Sequence, residues 1–216
     1  MKRLFQAIAM VALVFSTAAC AEEGKSTYQA GVDYALITPA QPTDDAKRIE
    51  VLEVFWYGCP HCYDLEPVIE PWVKTLPDDV RFLRLPAVFG LNWEPHARAY
   101  FTAEILGITE QTHKPLFDAI HLDKKPYTSQ ASLAGFYANY GIDETLFNKT
   151  YTSFVVETQL RRSKEQIRRF GITGVPAVVI EGKYLVTGRM AKSYDNMIKI
   201  MNYLIEQERA ARNASS

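Results

Sequence analysis

Cysteine is nearly absent from this chain, with three residues in 216. One of the three, Cys20, lies in an N-terminal leader, so the remainder carries only Cys59 and Cys62. An exported protein held together by disulfide staples carries more cysteines, spaced further apart, so a disulfide scaffold is excluded. An excess of either charge is lacking too. Lys and Arg number 24 against 25 Asp and Glu, a net charge of −1, which offers no footprint for nucleic acid or an anionic membrane surface. No apolar run reaches the ~20 residues needed to span a bilayer. There is no internal repeat and no low-complexity tract. What is present, 48% hydrophobic and 23% charged residues, suits one globular domain or one domain with a large insertion.

The leader has its own pattern. Lys2 and Arg3 precede an apolar run over 4–15, broken only by Gln6, and small residues follow over 16–21. That order is a secretory signal peptide, with Ala19-Cys20-Ala21 as an A-x-A-like site before Glu22. The mature chain is therefore expected to be soluble and exported, and to meet an oxidising compartment with one close cysteine pair. Cys20 raises one alternative, an acylated lipoprotein cysteine. Such signals usually carry Leu three residues earlier, and here Thr17 stands there.

Residues 50–67, EVLEVFWYGCPHCYDLEP, organise the rest. The β-branched and aromatic run up to Tyr57 suits a buried strand, and Gly58 ends it. Pro60 fits the first position of a helix, where its missing N–H would be unpaired anyway. The stretch reads as strand, tight turn, Cys59 at a helix start and Cys62 one turn in.

Around this centre, 22–47 reads as a polar arm with a short edge strand near 34–37. The active-site helix continues over 66–76, with Pro67 and Pro71 expected to bend or interrupt it. A second strand follows over 80–88. Helical patterns then run over 94–106, 111–121, 129–140, a short segment capped by Asp143, and 153–170. Strands over 177–180 and 184–186 flank Glu181-Gly182-Lys183 as a hairpin, and an amphipathic helix over 193–208 closes the chain. The order is β-α-β, a helical insertion, then β-β-α. With a CxxC at the start of the first helix, this is the thioredoxin arrangement. The expected fold is α/β, a central mixed β-sheet with an inserted helical domain. Its parts are a signal peptide (1–21), a thioredoxin-like portion in two pieces (22–91 and 171–208), the insertion (92–170) and a disordered tail (209–216).

The chemistry follows from position. A helix N-terminus offers N–H donors and the positive dipole end to the Cys59 thiolate; ~2 kcal/mol from that source lowers a pKa by about 1.5 units. His61, when protonated, adds to this. Stabilising the thiolate favours the reduced form, and a favoured reduced form makes an oxidising couple. Cys62, deeper in the helix, is shielded and resolves mixed disulfides. The competing reading, half a zinc site, needs two further ligands. His96, His113 and His121 are the only other histidines, and none has the short H-x₃₋₅-H spacing. Glu53 interrupts an apolar strand six residues before Cys59, where a carboxylate is costly unless paired. It reads either as a proton acceptor for Cys62 or as a strand-end ion pair.

FWYGCPHC, followed more than a hundred residues later by ITGVPAVVI, with LPAVFG and GKY between and after, resembles the DsbA family of bacterial periplasmic thiol–disulfide oxidases. The resemblance implies that Val175–Pro176 is a cis peptide facing the dithiol. Backbone groups at Val175 would then pair with an extended substrate peptide, while Pro176 keeps an N–H donor away from the sulfurs. Glu53 matches the family's buried acid. Glu66 matches an acid near its active site, against a reading as a solvated helix residue. Arg84 takes the approximate place of a basic partner that is usually Lys. The resemblance further implies a periplasmic monomer with no cofactor beyond a Cys59–Cys62 disulfide. Its partners would be reduced, unfolded exported proteins, and the membrane quinone reductase DsbB would re-oxidise it. The rival readings are an isomerase or reductase of the same fold, a metal-binding protein, and a chaperone-like peptide binder.

Overall fold

The computed structural model describes residues 28–214, so the expected signal peptide and Cys20 lie outside the described residues. Strand β1 (Ala35–Leu36) precedes β2 (Ile49–Phe55), helix α1 (Pro60–Val73) and β3 (Val80–Pro86). Five helices come next: α2 (Glu94–Ile105), α3 (Thr109–His121), α4 (Gln130–Ala138), α5 (Glu144–Tyr151) and α6 (Phe154–Arg169). Then β4 (Ala177–Ile180), β5 (Tyr184–Thr187), α7 (Gly188–Ala191) and α8 (Tyr194–Ala214) complete the described chain. The strands form one mixed sheet in the order β1-β5-β4-β2-β3, with β2 parallel to β3 and antiparallel to β4. This is the expected thioredoxin-type α/β fold with a helical insertion.

Strand β2 is the axis, and all seven of its residues are buried. Strand alternation divides the interior. Val51, Val178, Ile180 and Val186 pack with Leu65, Ile69 and Trp72 of α1 and with Met197, Ile200, Met201 and Leu204 of α8. Leu52, Val54, Ala177 and Val179 join the larger core, to which the inserted helices contribute Tyr100, Phe117, Leu133, Tyr137, Phe147 and Leu160. The aromatic pair Phe136 and Tyr140 belongs to this core, with rings 5.1 Å apart. Polar side chains punctuate the insertion, and Asp143 is the cap that the sequence suggests. Ser129, Asp143 and Ser153 each accept an N–H at the start of α4, α5 and α6.

Two expectations need correction. Helix α1 is not interrupted at Pro67 or Pro71; it runs continuously from Pro60 to Val73. Both prolines lie on its exposed side. The last helix does not stop at Glu208; it continues to Ala214, so 209–214 is not a disordered tail. Arg209 makes a bidentate pair with Asp79 at 2.6 and 3.0 Å. Arg212 donates to Glu181 at 2.6 Å and to the Arg48 carbonyl at 3.0 Å. These cross-chain pairs hold the final turns against the sheet. A second cis peptide, Thr38–Pro39, and the one-turn helix α7 carry no sequence signal that pointed to them.

The hairpin turn shows where glycine is obligatory. Glu181 and Gly182 both have positive φ, 52° and 60°, and a Cβ at Gly182 would fall 2.1 Å from the Gln41 carbonyl oxygen. At Gly171 φ is +67° and nothing lies within 4 Å. Gly182→Ala should therefore cost about 2–3 kcal/mol in urea unfolding, and Gly171→Ala about 1 kcal/mol. Equal losses would show that the contact with Gln41 carries no weight.

Candidate active site

Strand β2 delivers the chain into a turn whose geometry places Cys59 as the N-cap of α1 and Pro60 as its first residue. The Cys59 N–H donates to the Trp56 carbonyl at 2.9 Å, closing that turn. Gly58 is required by a neighbour. The Trp56 indole folds back over it, so that a Cβ at 58 would lie 2.3 Å from the ring. Trp56 is itself stacked on Trp93, with ring centroids 4.0 Å apart and planes 14° from parallel.

Both cysteines are free thiols, and their environments differ sharply. Cys59 is 7% exposed and Cys62 is fully buried. The Cys59 pKa is drawn down to about 6 by a hydrogen bond from the Cys62 thiol, by the N–H groups of Cys62 and His61, and by the His61 charge. Burial pushes Cys62 far above the ordinary thiol range, and the Cys59 hydrogen bond and negative charge add to that. His61 is exposed, and its carbonyl accepts from Tyr194 Oη at 3.0 Å. Opposite the dithiol, the Val175–Pro176 peptide is cis, and the Val175 oxygen lies 3.7 Å from Cys59 Sγ. An open groove of about 1010 Å³ runs beside it, lined by His61, Val175, Pro176, Met190 and Tyr194 among others.

Behind the dithiol lies a buried charge cluster that the sequence only sketched. Glu53, fully buried in β2, faces its register partner Arg84 of β3, and Arg84 Nε donates to Glu53 Oε2 at 3.1 Å. Arg84 also pairs with Glu70, and its Nη2 lies 3.9 Å from Glu66 Oε2. Glu66 is 3% exposed, so its reading as a solvated helix residue is corrected. The next helical turn around α1 simply faces inward here. One guanidinium thus serves three carboxylates. Burial raises Glu53 to about 8 and Glu66 to about 7, against the pull of Arg84. The negative charge of Glu53 also reaches Cys62 and disfavours its thiolate.

Two side chains in this cluster had no sequence signal. His113 Nδ1 lies 2.9 Å from Tyr57 Oη, and His113 Nε2 lies 3.3 Å from Glu66 Oε1. Separations of 56 and 47 residues hide both contacts from any local pattern. Among the described residues no group of three or more His, Cys, Asp or Glu is placed to hold a metal ion. The basic run Arg161, Arg162, Lys164, Arg168 and Arg169 is exposed on α6, far in sequence from the site.

The DSBA-like thioredoxin domain matches residues 79–199. The thiol:disulfide interchange protein DsbA of Pseudomonas aeruginosa is 39% identical over 208 residues, 96% of this chain and 97% of that protein. The chain belongs to the DsbA family. Azotobacter vinelandii DsbA is 41% identical over 182 residues, covering 84% of this chain and 85% of its own length. The crystal structure of Pseudomonas aeruginosa DsbA aligns with a TM-score of 0.83 at 40% identity, over 86% of this chain and 97% of that one. DsbA from Xylella fastidiosa gives 0.80 at 35% identity, over 85% and 98%. As a DsbA-family protein, the chain is a thiol–disulfide oxidoreductase that introduces disulfide bonds. The matched domain begins after the CPHC motif, which lies within the long alignments to the whole relatives.

Alkylation of Cys59 by iodoacetamide should follow a thiolate titration centred near pH 6, and Cys62 should remain unreactive while folded. Because Cys59 ionises more readily folded than unfolded, it adds stability to the dithiol form at pH above the ordinary thiol value of 9.0, and that gain disappears as pH falls through about 6. Cys59→Ser should flatten that slope. The buried acids have the opposite sign. With folded values above 4.5, Glu53 and Glu66 erode stability as pH rises through about 8 and 7 respectively. Arg84→Met should cost about 3–5 kcal/mol in the alkaline range and least below the ordinary carboxylate value of 4.5. A cost independent of pH would mean that Arg84 acts through packing alone.

Proposed function

We propose that the protein oxidises reduced, unfolded exported proteins, with Cys59 as the exchanging sulfur and Cys62 as the resolving one. A substrate thiolate attacks Cys59 Sγ of the Cys59–Cys62 disulfide. The S–S bond breaks, a mixed disulfide to Cys59 forms, and Cys62 leaves as a thiolate. A second substrate thiolate attacks the substrate sulfur, forming the product disulfide and releasing Cys59 as a thiolate. Two electrons have passed to the enzyme. The observation that carries this reading is the asymmetry of the pair. A thiol drawn to about 6 is a good leaving group in the second step, and its stabilised thiolate pulls the exchange toward reduced enzyme.

Cys62 is the poor leaving group, because its thiolate is the form that burial disfavours. Glu53 supplies the remedy. With a value of about 8 it holds a proton at neutral pH, which it gives to Cys62 as the disulfide opens. On re-oxidation the same carboxylate accepts that proton when Cys62 attacks. His61 supports the Cys59 thiolate by its charge and its N–H. Pro60 fixes the helix start. Val175 and Pro176 seat an extended peptide along the groove through backbone groups at Val175.

The leader over 1–21 directs the chain to the periplasm as a soluble monomer, and DsbB returns the dithiol to the disulfide. The couple needs no cofactor besides its own two sulfurs.

Equilibration with glutathione buffers, followed by the fluorescence of Trp56, tests the oxidase reading. The expected couple is far more oxidising than thioredoxin's about −270 mV, and Cys59→Ser should abolish oxidation of a reduced substrate protein. A couple at thioredoxin's potential would sink the assignment in favour of a reductase.

A further inference from the structure

His113 is a buried histidine on α3, 4% exposed. It has two polar partners, and together they dictate its tautomer. Tyr57 is 1% exposed, and its hydroxyl has His113 Nδ1 as its hydrogen-bond partner among the described residues. If His113 carried its proton on Nδ1 it would donate to Tyr57 Oη, and the buried Tyr57 O–H would lose its acceptor. Stranding such a donor costs about 1–3 kcal/mol. The favoured arrangement therefore has Tyr57 O–H donating to Nδ1, and Nε2–H donating to Glu66 Oε1. A donor fixed on Glu66 from this side favours its carboxylate over its acid.

The remaining charges around Glu66 do not settle its proton by themselves. Arg84 of β3 faces it at 3.9 Å, Glu70 lies on the same helix, and Lys114 and Asp118 of α3 oppose one another nearby. Glu53 lies on the far side of Arg84, and a negative Glu66 makes Glu53 harder to ionise. Around His113 itself the facing groups are Arg84 and Glu70, with the rings of Phe55, Tyr100 and Phe117 filling the rest.

We infer that His113 is a positioning residue for the dithiol's proton. Bridged between Tyr57 and Glu66, it keeps Glu66 as the carboxylate and so leaves the transferable proton of the buried cluster on Glu53. The link to turnover rests on the reading of Glu53 as the acid and base for Cys62. The consequence for the two acids stands on the hydrogen bonds of His113 and on the Arg84 guanidinium that both acids face.

The test is a carboxyl-carbon NMR titration of Glu53 and Glu66 in the dithiol form of the mature protein. His113→Phe keeps a ring but removes both hydrogen bonds. Glu66 should then titrate about one pH unit higher, a tenfold change in its ionisation constant, and Glu53 lower, since it faces less negative charge. The acid limb of the pH profile for Cys62 attack on a mixed disulfide should move down with Glu53. His113→Gln, which retains an N–H donor, should lie nearer the wild type. Tyr57→Phe, the variant to read if His113→Phe fails to fold, should shift Glu66 upward by a smaller amount. Unchanged Glu66 titrations in folded His113→Phe and Tyr57→Phe would overturn the assignment, as would both acids moving in the same direction. Glu53→Gln separates the two readings. An unchanged release profile there removes Glu53 from the mechanism, while a shifted Glu66 in His113→Phe still upholds the role of His113.

Discussion

A hydrogen bond between the two sulfurs, donated by Cys62 Sγ to the Cys59 thiolate, ranks first among the forces that draw the Cys59 pKa down. It arises because Cys59 stands at the N-cap position of α1 and Cys62 one turn inside it. The same contact raises Cys62, so a single interaction polarises the pair in both directions. The rest of the fold is arranged to preserve that asymmetry. Strand β2 is buried on both faces and fixes where the helix starts. Gly58 admits the Trp56 indole over the turn. The cis Val175–Pro176 loop faces Cys59 with a carbonyl and no proline N–H.

The asymmetry creates a second problem, and we propose the buried cluster as its answer. A thiol as shielded as Cys62 cannot take or lose a proton through solvent. Glu53 reaches it electrostatically from the sheet, and Arg84 keeps that carboxyl within reach of neutrality against the cost of burial. Two acids tuned near neutrality around one guanidinium make an ambiguous proton store. In the role we infer for it, the Tyr57–His113 pair resolves the ambiguity through the direction of its hydrogen bonds.

Most of the fold was legible in the chain because its signals are local. The Gly58-Cys59-Pro60 junction, the aspartate cap at Asp143 and the Glu181–Lys183 turn each announce an element within a few residues. The dithiol was equally local, and Glu53 was marked by being a carboxylate in an apolar strand. What stayed hidden depends on distant pairing. Pro67 and Pro71 read as points of bending or interruption, and nothing near them says that α1 continues through both with that side exposed. Residues 209–214 read as a tail because Asp79 and Glu181, which hold them, are far away in sequence. Glu66 and His113 meet across 47 residues, and only the docking of α3 on α1 brings them together.

The central claim is that the fold favours the dithiol because it stabilises one thiolate. Paired urea unfolding of the oxidised and reduced forms, at pH above the Cys59 titration, measures this directly. The account predicts that the reduced protein is the more stable of the two, by a margin that shrinks as pH falls through about 6. An oxidised form as stable as the reduced one, or more stable, would contradict it.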